Sequence, residues 1–322
     1  MEIQKINYMP VRNSNLQPAG RKYKFYSIPA KGVSADTFEY QNRQSLPQVN
    51  FTGTNALQRL IIKYLKNRSY ENSMLGSRRP YLSIDPELEP MLKRFEIKVG
   101  KNESIEAFDI NPKNSNKYII YLHGFSQNVT SNQPLYKALT QTDYGILAID
   151  YRGYGKNKAK NETTETEIMH DVQAAAKYLN NKGINNIGLI GHSFGSYIAA
   201  KTSNLNNFNF QILVSPMLSL EFWLKNVLKN PKKYKMESTL IKYIPGFKEQ
   251  YYKVFEIDKH ITENSTPTYV IHSKTDGYIN VQGVNKFVKK IPNEKGYILL
   301  PRGGHRMDEN KIKSIVDVLN QL

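Results

Sequence analysis

From residue 91 onward, short runs of apolar residues alternate with stretches whose apolar positions recur every three or four residues. RFEIKV (94–99) and SIEAFDI (104–110) predict two strands about a Gly-Lys-Asn turn at 100–102. KYIIYLHG (117–124), YGILAIDY (144–151), INNIGLIGHS (184–193), FQILVSP (210–216), TPTYVIHS (266–273) and GYILLPR (296–302) predict further strands. Helices are expected near 130–141 and over 164–181, 194–204, 281–290 and 309–321. The helix at 164–181 carries its acidic residues early, where the helix dipole favours them. Long apolar strands alternating with helices predict an α/β domain, a mainly parallel central sheet with helices on both faces.

The remaining segments break this rhythm. Residues 1–52 are polar and aperiodic, the composition of a flexible or loosely docked arm. In residues 54–66, Leu57, Leu60, Ile61, Tyr64 and Leu65 form a helical stripe flanked by Arg59, Lys63 and Lys66. That pattern suits a helix docked on the main domain, with a basic membrane-surface helix as the alternative. SRRPYLSIDPELEP (77–90) holds three prolines and predicts an irregular linker. Residues 217–262 are helical in pattern and rich in Lys and aromatics, and they predict a small helical cap inserted in the domain. The expected division is therefore an N-terminal extension, 1–90, and a domain, 91–322, interrupted by the cap.

Charge changes this picture little. The chain of 322 residues carries 45 Lys+Arg against 28 Asp+Glu, a net +17. Residues 1–100 hold +8 of that excess and 214–260 hold +4, whereas 101–213 hold only +2. The basic excess thus lies mostly outside the segment bearing the candidate chemistry, and no nucleic-acid motif accompanies it. Nucleic acid is not an expected partner. The absence of cysteine removes disulfides, thiolate metal sites and a cysteine nucleophile together. No run approaches the roughly 18 apolar residues of a membrane span, and MEIQKINYMP has no apolar signal core. A cytoplasmic protein is the expectation, with a peripheral membrane contact if 54–66 is interfacial.

Gly191-His192-Ser193-Phe194-Gly195 stands where a predicted strand turns into a predicted helix. A nucleophile elbow needs small residues two before and two after the serine, because the turn is tight and a Cβ there clashes. His123-Gly124-Phe125 ends an earlier strand, and Asp150-Tyr151-Arg152-Gly153-Tyr154-Gly155 follows the next one. With these motifs the chain from about 91 to its end resembles the α/β-hydrolase superfamily. Within it, the likeness is greatest to small-capped Bem46-like and ABHD17-like acyl esterases and thioesterases.

The resemblance implies a triad in the order serine, acid, histidine. Only His260, His272 and His305 follow Ser193. His272 lies inside a buried strand, where a hydrogen-bonded core histidine is the default, and His260 lies in the interrupting segment. His305 follows the last strand, with Gly303-Gly304 giving its loop freedom, and is the expected general base. Asp276, just past a strand, holds the family's acid position, 83 residues after Ser193 and 29 before His305. Asp258 and Asp308 are competitors, the latter placed to cap the last helix. The oxyanion hole is expected from the backbone N–H groups of Phe194 and Phe125, with Ser126 a nearby alternative. His123 and His192 lie within motif turns and suit structural hydrogen bonds. Arg152 is expected to tie its turn to neighbouring carbonyls. In the cap, Phe222 and Trp223 are candidate substrate-binding residues.

No metal-ligand spacing, phosphate-binding loop or dinucleotide fingerprint occurs, so no metal and no cofactor is expected. These features predict a serine hydrolase that cleaves a carboxylic ester or thioester, on a small-molecule or lipid acyl substrate. The alternatives on the same triad are a membrane-associated lipid or lipoprotein deacylase, an amidase or aminopeptidase, and an acyltransferase.

Overall fold

The computed structural model describes residues 79–157, 163, 165–203, 205, 208–219 and 256–322. The arm at 1–52, the helix at 54–66 and most of the cap, including Phe222 and Trp223, lie outside the described residues.

Eight strands are described: β1 Leu92–Gly100, β2 Glu103–Ile110, β3 Lys117–Leu122, β4 Gly145–Ile149, β5 Asn186–His192, β6 Phe210–Val214, β7 Thr268–Ser273 and β8 Glu294–Leu300. The α-helices among the described residues are α1 Gln133–Leu139, α2 Glu165–Asn181, α3 Phe194–Ser203, α4 Asp258–Ile261, α5 Val281–Val288 and α6 Glu309–Leu319. One sheet holds all eight strands in the order β1-β2-β4-β3-β5-β6-β7-β8. β2 runs antiparallel to both neighbours, and every pair from β4 to β8 is parallel. Each strand and helix expected within the described residues is present, with ends shifted by a few residues.

The central strands are apolar throughout because both of their faces are covered. Successive side chains point to opposite faces. Ile120, Leu122, Leu147, Ile149, Leu189 and Leu213 pack with Val172 and Leu179 of α2, Ile198 of α3 and Phe287 of α5. Ile119, Tyr121, Ile146, Ala148, Ile190 and Ile212 pack with Leu135 and Leu139 of α1 and Ile315 and Leu319 of α6. β1, at the sheet edge, is mostly exposed or half-buried, as its charged residues require.

Residues 79–88 form no helix or strand, Glu89–Met91 makes one turn of 3-10 helix, and the segment packs on the domain. Tyr81 donates to Asp150 at 2.5 Å or to Glu106 at 2.8 Å, and Leu82 N donates to Thr130 Oγ1 at 2.9 Å. Asn128 Nδ2 donates to the Arg79 carbonyl at 3.0 Å. Leu88 is fully buried. The segment is thus fastened to the stretch that follows β3, to Asp150 after β4 and to Glu106 of β2.

Candidate active site

The site forms at the carboxyl ends of the parallel strands. There β3 has β4 on one side and β5 on the other, so the chain's crossovers diverge and leave a crevice. Ser193 follows β5 with φ 54°, a strained conformation for a residue bearing a Cβ. The glycines on either side make that turn feasible. A Cβ on Gly191 would stand 2.3 Å from the Gly195 carbonyl oxygen, and one on Gly195 would stand 2.0 Å from the Leu122 carbonyl oxygen. The elbow therefore presses against β3, the strand that leads to His123-Gly124-Phe125. Ser193 N donates to Val214 O at 2.9 Å, which fixes the turn to β6.

Three sequence-distant side chains converge. His305 Nε2 lies 3.0 Å from Ser193 Oγ, and His305 Nδ1 lies 2.8 Å from Asp276 Oδ2. With Nδ1–H donated to the carboxylate, Nε2 presents its lone pair to the serine hydroxyl. Asp276 Oδ1 accepts from Tyr278 N at 2.8 Å and Ile279 N at 2.9 Å, so its other oxygen is left for His305. Burial by itself would raise the Asp276 carboxyl. The His305 hydrogen bond and charge, with the two backbone N–H groups, outweigh it and hold the carboxyl at about 2.

The candidate oxyanion residues come from two segments that meet at the elbow. Phe194 opens α3, and Phe125 follows β3, with the two rings 4.5 Å apart. Ser126 has φ 55°, and Gly124 N donates to Gln127 Oε1 at 2.8 Å, so the turn after β3 is held by its own side chain. Gln127 belongs to the string HGFSQN (123–128), whose likeness to family oxyanion loops gave it no role of its own.

The other histidines and acids separate by environment. His123 is fully buried, 3.3 Å from Asp150 through Nε2, and its Nδ1 faces the Gly124 carbonyl at 2.9 Å. His192 is buried, with Nε2 donating to the His305 carbonyl at 3.0 Å. Desolvation, then the neighbouring His305, pull its pKa down to about 4, so it is neutral at pH 7. His272 is buried, and its Nδ1 is 3.8 Å from Asp276, too far for a hydrogen bond. His260 on α4 faces Tyr197 at 3.4 Å. Asp258 pairs with Lys290, and Asp308 caps α6 by accepting from Asn310 N and Lys311 N. Arg152 reaches the Glu167 carbonyl at 3.0 Å, as expected of it, but its strongest partner is a carboxylate: Asp171 Oδ1 accepts from Nε at 2.7 Å.

Lys311 carried no motif and was not singled out by sequence, yet it is fully buried beneath the His305 loop. The signal was periodicity. Lys311, Ser314, Ile315, Val318 and Leu319 form the buried stripe of α6, so a lysine occupies an inward position. Among the described residues no group of three or more His, Cys, Asp or Glu is placed to hold a metal ion.

The fold and the arrangement of the motifs are those of the α/β-hydrolases. Residues 113–251 match the Hydrolase_4 family, described as serine aminopeptidase, S33. Two proteins of Mycoplasma genitalium are similar to it. "Putative esterase/lipase 2" is 26% identical over 117 residues, covering 36% of this chain and 43% of that protein. "Putative esterase/lipase 3" is 30% identical over 156 residues, covering 45% and 55%. The chain thus spans about half the length of these curated relatives. A solved esterase of Pyrococcus furiosus superposes with a TM-score of 0.61 at 20% identity, covering 76% of this chain and 97% of that one. At that identity the likeness speaks for the fold.

Proposed function

We propose that this protein is a serine hydrolase that cleaves a carboxylic ester or thioester through an acyl intermediate on Ser193. The observation that carries the reading is the relay of 3.0 Å and 2.8 Å from Ser193 through His305 to Asp276, set on a strained elbow. Esterase/lipase names among the similar proteins support the substrate class.

In this reading His305 Nε2 takes the Ser193 proton as Oγ attacks the acyl carbonyl carbon. Asp276 stabilises the resulting imidazolium and keeps its ring oriented. The N–H groups of Phe194 and Phe125 receive the developing oxyanion. His305 then gives the proton to the departing alcohol or thiol as the carbonyl reforms. A water that loses its proton to His305 attacks the acyl carbonyl carbon, and His305 returns that proton to Ser193 Oγ as the ester bond breaks and the acid product leaves. No helix among the described residues is long and apolar enough to cross a membrane.

A fluorophosphonate probe tests the nucleophile. Wild type should label stoichiometrically and turn over p-nitrophenyl esters, and Ser193→Ala should do neither. Labelling that persists in Ser193→Ala sinks the reading. A panel from acetate to palmitate then defines the acyl chain. An aminopeptidase using the same residues is the second reading, favoured by the description of the family that residues 113–251 match. Aminoacyl p-nitroanilides cleaved faster than the ester panel would decide for it.

A further inference from the structure

The loop that carries His305 leaves β8 through Gly303 and Gly304, both with positive φ, and enters α6 at Glu309. Four consecutive carbonyls of this loop accept hydrogen bonds from buried side chains. Lys311 Nζ donates to Gly303 O at 3.2 Å, Gly304 O at 2.9 Å and Arg306 O at 2.9 Å. The carbonyl between them, that of His305 itself, accepts from His192 Nε2 at 3.0 Å. A fourth acceptor for Lys311 is Asp308 Oδ2 at 2.9 Å. On the far side, Gly304 N donates to Thr275 Oγ1 at 3.3 Å, in the loop that bears Asp276.

Lys311 is costly where it stands. Its side chain is completely withdrawn from solvent, and a buried ammonium loses its hydration. It also sits in the first turn of α6, the end of a helix that disfavours a cation. Neither helix stability nor solubility explains it. What the position provides is a compact charge whose N–H groups gather three carbonyls and a carboxylate.

We infer that Lys311 is a positioning residue: its ammonium, with His192 as a second donor, clamps the backbone of residues 303–306 and so fixes the height and direction of the His305 imidazole above Ser193. The inference rests on the reading of His305 as the base. Lys311 touches neither substrate nor the reacting atoms. Its effect on acylation passes through the loop, and a lysine at this place matters for its ammonium rather than its bulk. Removing the side chain beyond Cβ takes away the atoms of n-propylammonium and leaves a socket of four oxygen acceptors.

The test compares wild type, Lys311→Ala and Lys311→Met in three ways: rate of fluorophosphonate labelling, kcat and KM on a p-nitrophenyl ester, and amide hydrogen exchange at 303–306. Labelling and kcat should fall on the order of 10²-fold, as for small misplacements of a catalytic group, with KM little changed. Exchange at 303–306 should rise while the sheet stays protected. Added n-propylammonium should restore Lys311→Ala toward wild type, and 1-propanol, of the same size without the charge, should not. Lys311→Met keeps the volume of the stem and serves if the alanine variant does not fold. A folded variant that labels at the wild-type rate with unchanged exchange overturns the inference, as does equal rescue by propanol. Absence of labelling in wild type overturns the Ser193 reading instead, and exchange at 303–306 still decides whether Lys311 holds the loop.

Discussion

Gly195 shows how one hydrogen in place of a methyl group decides the site. Its missing Cβ lets the first turn of α3 lie against the backbone of β3, where a methyl carbon would stand 2.0 Å from the Leu122 carbonyl oxygen. Backbone cannot step aside as a flexible side chain can, so Gly195→Ala should displace the whole elbow. Expected are a loss of more than about 2 kcal/mol in urea unfolding, typical of overpacking in a rigid core, and loss of probe labelling. Gly183 is the control, with φ +80° and nothing within 4 Å of the place a Cβ would take. Gly183→Ala should cost about 1 kcal/mol of backbone strain and leave labelling intact. The glycine at 195 was legible from the motif. Its contact with Leu122, 73 residues away, was not, because that contact exists only once β3 and β5 are paired.

At the level of elements, Arg152 joins the turn after β4 to α2 and to β2. Nε donates to Asp171, its backbone N donates to the same carboxylate at 2.8 Å, and Nη1 reaches Glu103 at 3.1 Å. Burial pushes the Asp171 carboxyl up and Arg152 draws it back, so each group depends on the other. Arg152→Met should cost about 3–5 kcal/mol, the usual cost of stranding a buried charge. Arg152→Met with Asp171→Leu should recover much of that loss, and a double-mutant cycle in urea measures the coupling. Periodicity found α2, and composition placed its acidic start correctly, but the partner of Asp171 comes from the turn after β4 and is met only in the packed domain. Lys311 on α6 shows the same limit from the other side. Its place on the apolar stripe was visible, while the carbonyls it gathers belong to a loop whose course depends on β8 and α6 being docked.

For the whole molecule, acid stability follows from histidines that folding keeps neutral. His192 and His260 are both lowered from 6.5 to about 4, each chiefly by desolvation. In the unfolded chain they bind protons near 6.5, so between about pH 6.5 and 4 the unfolded state holds more protons and stability falls as pH falls. Asp171, raised from 3.8 to about 7, acts with the opposite sign across the whole of that window. His260→Asn therefore isolates one contribution. The difference in Tm between wild type and variant should be constant above pH 7 and shift in favour of the variant toward pH 4.5. An unchanged difference across that range would show that His260 titrates alike in both states.

Alternation of strand and helix and the glycine spacing around Ser193 were determined by the sequence alone, because they depend on local periodicity and backbone sterics, whereas the order of Ser193, Asp276 and His305 was what the resemblance to the α/β-hydrolases implied. The distances of 3.0 Å and 2.8 Å that join those three residues were decided by the tertiary structure. So were the docking of Tyr81 on Asp150 and the burial of Lys311 under the His305 loop. Each of these is a contact between segments far apart in the chain. The energy that holds a polar or charged group in such a place comes from partners that only the packed sheet assembles around it.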